Sequence, residues 1–226
     1  TEEQQSIYEA EKSKVRNSIL EKFDSEGVKN SSVLVLRALM LLRQLANHPR
    51  MIDSNSDAAS GKFAEVTESL GTILSENHKV LVFSSFVRQL KLLEEFCLAS
   101  GFKYAMLTGA TTNREKVINS FKRKSDIQLF LISLKAGGVG LNLTEADYVF
   151  ILDPWWNPAA ELQALNRAHR IGQDKKVFVY RFITKDTVEE KIVQLQQRKK
   201  DLADLFVTSD STIAGMTQDE IMAIFT

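Results

Sequence analysis

An α/β fold built on a parallel sheet follows from three features of this 226-residue sequence. From Gly61 onward helical and strand patterns alternate. The strands are near-continuous runs of Val, Ile, Leu and Phe rather than apolar–polar alternations. Glycine and hydroxyl clusters fall just after the strands. Alternation of this kind argues for βαβ units and hence a parallel sheet. Uninterrupted apolar strands are expected where helices cover both faces. In such sheets ligands gather at the carboxyl ends of the strands.

Taken in order, Glu2 to Lys22 reads as a charged amphipathic helix whose sparse apolar positions are Ile7, Val15, Ile19 and Phe23. A breaker-rich gap, Ser25 to Ser32, separates it from a second helix, Val33 to Asn47, which His48-Pro49 closes. Asp53 to Gly61, rich in Ser, Asn and Asp, reads as a linker. The alternating region then predicts helix Lys62 to Glu76, strand Lys79 to Ser84, helix Val87 to Ser100, strand Tyr104 to Thr108, helix Asn113 to Lys124 and strand Gln128 to Ser133. Strand Tyr148 to Leu152, a helix after Asn157-Pro158 that Gly172 can end, and strand Lys176 to Ile183 continue the pattern. Thr184 to Glu190 has the form of a capping box leading into a long helix, with Val188, Ile192, Leu195, Leu202 and Leu205 on its apolar stripe. Thr217 to Phe225 reads as a short amphipathic helix.

Composition sets bounds on the chemistry. With 44% hydrophobic and 26% charged residues, the chain can bury one sizeable core plus helical appendages. Lys+Arg 29 against Asp+Glu 29 leaves a formal net charge of zero, so contact with nucleic acid requires a local patch. Cys97 is the sole cysteine, which excludes an internal disulfide and a cysteine-rich zinc site; in the apolar stretch Leu92 to Leu98 it reads as a buried thiol. With no signal peptide and no apolar run long enough to span a bilayer, an intracellular protein without a membrane partner is expected. The first residue is Thr1, and a fragment of a longer polypeptide is expected.

Three blocks carry the candidate chemistry. Gln163, Arg167 and Arg170 recur at i, i+4 and i+7, so a helix presents them on one face, where two guanidiniums beside an amide suit a polyphosphate. The alternative is a helix whose arginines are solvated or paired with acids. Ser133-Leu-Lys135-Ala-Gly137-Gly138-Val-Gly140-Leu-Asn142-Leu follows a strand, and its glycines permit close approach of a ligand or simply a tight loop. Lacking a third glycine in place, it fails as a dinucleotide fingerprint. Between these blocks lies Asp153-Pro-Trp-Trp156-Asn157-Pro158. Asp153 resembles a magnesium-binding acid only superficially and reads as structural. One of the adjacent Trp155 and Trp156 is expected away from the core. No Gly-x-x-x-x-Gly-Lys-Ser/Thr loop and no paired acidic box occurs. The chain therefore reads as half of an ATPase.

Together with Lys79-Val-Leu-Val-Phe-Ser-Ser-Phe86, these blocks resemble the second RecA-like lobe of the SWI/SNF-type ATP-dependent DNA translocases of helicase superfamily two, from about Leu36 to Phe206. Lys79 to Phe86, Leu107 to Gly109, Ser133 to Leu143 and Gln163 to Gln173 match motifs IV, IVa, V and VI. The ending Arg167-Ala-His-Arg170-Ile-Gly-Gln173 is the most specific of them. The resemblance implies a division into residues 1–60, a helical segment and linker joining two motor lobes; 61–185, the RecA-like lobe; and 186–226, a brace helix and tail. It implies ATP with Mg2+ held mainly by a separate N-terminal lobe, Arg167 and Arg170 as arginine fingers, and Gly138, Gly140, Asn142 and Gln163 on the nucleotide side.

Double-stranded DNA is the implied partner, through Ser84, Ser85, Phe86, Thr108, Gly109, Thr111, Ser133, Lys135 and Trp156. Hydroxyls, amides and a lysine of this kind position a protein on phosphates without reading bases. For Trp156 a hydrophobic plug is the competing role. A nucleoprotein complex would be the target, in the nucleus of a eukaryote or the nucleoid of a bacterium. The rival readings are a non-catalytic interaction module and an RNA helicase lobe of the same superfamily.

Overall fold

The computed structural model describes residues 1–137, 141–155, 176–200 and 216–225. The chain divides into two compact units, residues 1–62 with 183–226, and residues 63–182.

The second unit is the α/β body. Its five strands are β1 (Val80–Ser84), β2 (Tyr104–Leu107), β3 (Leu129–Ser133), β4 (Tyr148–Ile151) and β5 (Phe178–Arg181), all parallel, in the order β2-β3-β1-β4-β5. Every residue of β1 and of β3 is buried, as two-sided coverage demands. Side chains alternate across the sheet. Leu81, Phe83, Phe130, Ile132, Val149 and Ile151 join Phe121 of helix α5 (Arg114–Arg123) on one face. On the other, Val80, Val82, Leu129, Leu131 and Phe150 pack with Leu90, Leu93 and Cys97 of helix α4 (Val87–Ser100), and with Val66, Leu70 and Leu74 of helix α3 (Gly61–Ser75). Helix α4 ends at Gly101 in the left-handed conformation, φ 74°, where glycine carries no Cβ penalty. A four-residue helix, α6 (Leu134–Gly137), follows β3 directly.

Strand β5 departs from expectation. It spans Phe178–Arg181 rather than Lys176 to Ile183, and Phe178, Val179 and Tyr180 are all more than 40% exposed. As the last strand in the order it pairs only with β4. Its apolar run records aromatic stacking along the sheet, Tyr148 on Phe178 at 5.2 Å, rather than coverage on both faces.

In the first unit, helix α1 (Glu2–Asn30) runs through the expected gap, interrupted only at Gly27 (φ 76°, ψ 166°). The Ser31 hydroxyl donates to the Gly27 carbonyl at 2.8 Å, and helix α2 (Ser32–Asn47) begins at the next residue. A short helical stretch thus replaces a loop because a serine satisfies the backbone freed by the kink. His48 ends α2, its Nδ1 accepting from Arg50 N at 3.1 Å. Helices α7 (Val188–Lys200) and α8 (Gln218–Ile224) complete the unit, α8 carrying a capping box between Thr217 and Glu220. At α7 the box is altered. Glu190 reaches past Thr187 to accept from Asp186 N at 2.8 Å, with Asp186 itself at positive φ.

Candidate nucleotide and nucleic-acid site

The carboxyl ends of the strands bring the predicted residues to one edge of the sheet. Ser84 of β1 is in register with Ser133 of β3, Phe83 with Ile151 of β4, and Leu107 of β2 with Ile132. The loops that follow have distinct internal chemistry.

After β1, Ser84 is fully buried, and its hydroxyl donates to Asp153 Oδ2 at 2.6 Å while accepting from Phe86 N at 3.0 Å. Ser85 N donates to the same carboxylate at 3.0 Å. A carboxylate with no solvent exposure is costly unless hydrogen-bonded, and the β1 loop supplies those bonds. Phe86 is 6% exposed. Ser84 and Phe86 belong to the residues expected at DNA, and their side chains are buried. They shape the loop from beneath, and half-buried Ser85 is what it presents. Asp153 is structural, as expected, and in addition ties the end of β4 to this loop.

After β2, Thr108 N donates to Thr111 Oγ1 at 2.9 Å, Thr111 N to Thr108 O at 3.1 Å, and Ala110 N to Thr108 Oγ1 at 3.3 Å. Thr108, also expected at DNA, is buried, and its oxygens accept hydrogen bonds within the turn. Gly109 is exposed and Thr111 half-buried. A Cβ on Gly109 would meet no atom within 4 Å, so packing does not require glycine there.

After β3, Ser133 is 3% exposed and its hydroxyl has no hydrogen-bond partner among the described residues. Of the two residues expected at DNA here, Ser133 is thus buried and Lys135 exposed. The Oδ1 of Asn142 is likewise shielded and without a partner. Arg114 Nη2 donates to the carbonyl of Ala136 at 2.6 Å. At the end of β4, Trp155 is 2% exposed and meets Phe83 edge-on at 6.3 Å, so it faces the core. Gly138, Gly140, Trp156, Gln163, Arg167 and Arg170 lie outside the described residues.

Sequence reasoning passed over Arg114 and the bonding of Asp153. The available signals were a cation at the first position of a helix, which the helix dipole disfavours, and an acid ending an otherwise apolar strand. Cys97 is buried and its thiol is pushed up to about 12, chiefly by burial, so it is inert near neutral pH. Among the described residues no group of three His, Cys, Asp or Glu is gathered that could hold a metal ion. No helix among them is long and apolar enough to cross a membrane.

Comparison with known proteins decides the family. The family described as "Helicase conserved C-terminal domain" matches residues 61–172. The "SWI/SNF-related matrix-associated actin-dependent regulator of chromatin subfamily A member 1" of Mus musculus is 38% identical over 185 residues, 76% of this chain and 18% of the relative. The solved "Sulfolobus solfataricus SWI2/SNF2 ATPase C-terminal domain" is 29% identical and superposes with TM-score 0.80, covering 99% of this chain and 93% of that one.

The chain is a SWI/SNF-type C-terminal lobe of helicase superfamily two.

As such a lobe it also resembles the "Sulfolobus solfataricus SWI2/SNF2 ATPase core in complex with dsDNA", at TM-score 0.82 and 29% identity, covering 99% of this chain and 47% of that one. The SWI/SNF lobe spans between 18% and 23% of the length of three relatives it matches. The five-stranded parallel sheet flanked by helices is the RecA-like fold the sequence predicts.

Proposed function

We propose that this lobe is the C-terminal half of an ATP-dependent double-stranded DNA translocase that acts on a nucleoprotein complex, completed by a separate N-terminal RecA-like lobe. The observation that carries the reading is the shared strand edge. The loops at 84–86, 108–111 and 133–137 and the attachment of the segment bearing Arg167 and Arg170, through Asp153 to Trp155, all leave the sheet at its carboxyl end. Support comes from the relative whose name includes "regulator of chromatin" and from the solved ATPase core bound to dsDNA.

On this reading Ser85, Gly109, Thr111, Lys135 and Trp156 present the phosphate-facing surface, with Ser84, Phe86, Thr108 and Ser133 fixing its shape from below. Gly138, Gly140, Asn142 and Gln163 lie toward ATP. The shielded Asn142 Oδ1, without a hydrogen-bond partner among the described residues, fits a residue that takes up a polar ligand. Magnesium is held mainly by the companion lobe on this reading. Arg167 and Arg170 stabilise negative charge that develops during phosphoryl transfer, a contribution of about 10³ to 10⁵ in rate.

The test uses the full-length protein. Arg167→Ala and Arg170→Ala should each abolish dsDNA-stimulated ATP hydrolysis while leaving the melting temperature and most DNA affinity intact, because the loss falls on the transition state. Lysine should rescue poorly, since it lacks the planar fork. Unchanged turnover in both alanine variants removes them from the site. Stimulation by RNA in place of duplex DNA would make the protein an RNA helicase, and hydrolysis with neither would leave an interaction module.

A further inference from the structure

Arg114 is the first residue of α5, where a positive charge faces the positive end of the helix dipole. Lys116 also lies in the first turn, whereas Lys122 and Arg123 sit in the last turn, where the dipole favours them. What sets Arg114 apart is a contact outside its own helix. That contact is the 2.6 Å hydrogen bond from its guanidinium to the carbonyl of Ala136. Helix α6 has only four residues, and the last four carbonyls of any helix lack intrahelical partners, so Ala136 needs an outside donor. Ala136 is 2% exposed, which makes an unpaired carbonyl there expensive. The exposed Lys135 is its immediate neighbour. Strands β2 and β3 pair in register, so the loops that follow them are adjacent. The turn at 108–111 is closed by its own threonines, and Asn113 caps α5 by accepting from Lys116 N at 3.0 Å. The base from which Arg114 reaches is therefore fixed.

We infer that Arg114 is a positioning residue that clamps the loop after β3 to the loop after β2, so that Lys135, Gly109 and Thr111 engage duplex DNA as one surface. This rests on the proposed function. The guanidinium itself makes no phosphate contact in this role. One donor meets one carbonyl, so a single nitrogen suffices, unlike the planar pairing required of Arg167 and Arg170.

In the full-length protein, Arg114→Ala should lower the DNA-stimulated kcat by about 10-fold to 100-fold, as expected when contacts shift by about 1 Å. The KM for ATP and unstimulated hydrolysis should stay as in the wild type, while the melting temperature falls modestly because the buried Ala136 carbonyl loses its donor. Arg114→Lys should recover most of the stimulation. The salt slope of DNA binding should be unchanged in Arg114→Ala, whereas Lys135→Ala should lose about one unit. Hydrogen exchange, which needs neither ATP nor DNA, should be faster at the amides of residues 134–137 in Arg114→Ala. Unaltered exchange there, a salt slope reduced by about one unit, or failure of lysine to rescue would each overturn the clamp. If Lys135→Ala is impaired while Arg114→Ala retains full stimulation, only this inference fails. A wild-type protein that no duplex DNA stimulates sinks the proposed function, and with it the DNA role of the clamp, whatever the exchange result.

Discussion

Asp153 decides which of its neighbours can meet a ligand, because a fully buried carboxylate takes the Ser84 hydroxyl and the Ser85 amide as partners from a loop 69 positions earlier in the chain. Ser84→Ala leaves that carboxylate one bond short and should cost about 1–3 kcal/mol in urea unfolding, the range for an unsatisfied buried polar group. DNA binding by the same variant should keep its salt slope, which a direct phosphate contact could not do. Lys135→Ala should behave oppositely, with stability changed by no more than about 0.5 kcal/mol. Cys97 gives a pH-dependent signature. Burial raises its thiol from 9.0 to about 12, so above the unfolded value the unfolded chain releases the proton more readily than the native one. This contribution is fully present below pH 9.0 and is lost as pH rises toward about 12, at up to roughly 1.4 kcal/mol per pH unit for this one group. Cys97→Ala should flatten stability against pH between pH 9 and 10.5. An equally steep decline in that variant would assign the loss to other groups.

Elements far apart in sequence are joined by a polar network with no exposure to spare. Lys62 Nζ lies 2.6 and 2.5 Å from the two carboxylate oxygens of Glu189, both side chains almost completely buried. Asn47 Nδ2 donates to Glu189 Oε1 at 3.0 Å, Thr184 N to Oε2 at 2.9 Å, and the Ser60 hydroxyl to the Asn47 carbonyl at 2.6 Å. The network fixes the start of α7 against the end of α2 and the first turn of α3, within the unit of residues 1–62 and 183–226. Removing one charge strands the other, so Lys62→Met and Glu189→Leu should each cost about 3–5 kcal/mol, whereas the double variant should lose much less than their sum and stay below wild type only by the donors of Asn47 and Thr184 that Glu189 no longer accepts. Thermal melts of the four proteins form a double-mutant cycle, and additive losses would show that the pair is not coupled. None of this was legible in the sequence. Lys62 reads as an ordinary helix-start lysine and Glu189 as one of two acids in a first turn, and only the fold brings them together across 127 positions.

At the scale of the whole molecule, the buried strands were the most legible part. Lys79 to Ser84 became Val80–Ser84, and Gln128 to Ser133 became Leu129–Ser133, because a strand covered on both faces must be apolar throughout. Strand β5 misled for the same reason, since an apolar run does not say whether its outer neighbour exists. The site was legible as a set of loops and not as a set of contacts. A serine after a strand looks the same in sequence whether it faces solvent or a buried aspartate, and four of the residues assigned to DNA are buried. The half-site character carries the last prediction. The sequence contains no phosphate-binding loop and no paired acidic box, so on the proposed reading the companion lobe supplies the cradle for the phosphates and the metal that polarises them. Arginines alone stabilise charge in a transition state that the rest of the site must first assemble. The purified 226-residue chain should therefore show no ATP hydrolysis above background with or without duplex DNA, while the full-length protein turns over in its presence. A steady-state phosphate-release assay on both decides the matter. Turnover by the isolated chain within the usual enzymatic range, about 1–10³ s⁻¹, and abolished by Arg167→Ala, would place a complete ATP site in this lobe and end the two-lobe reading.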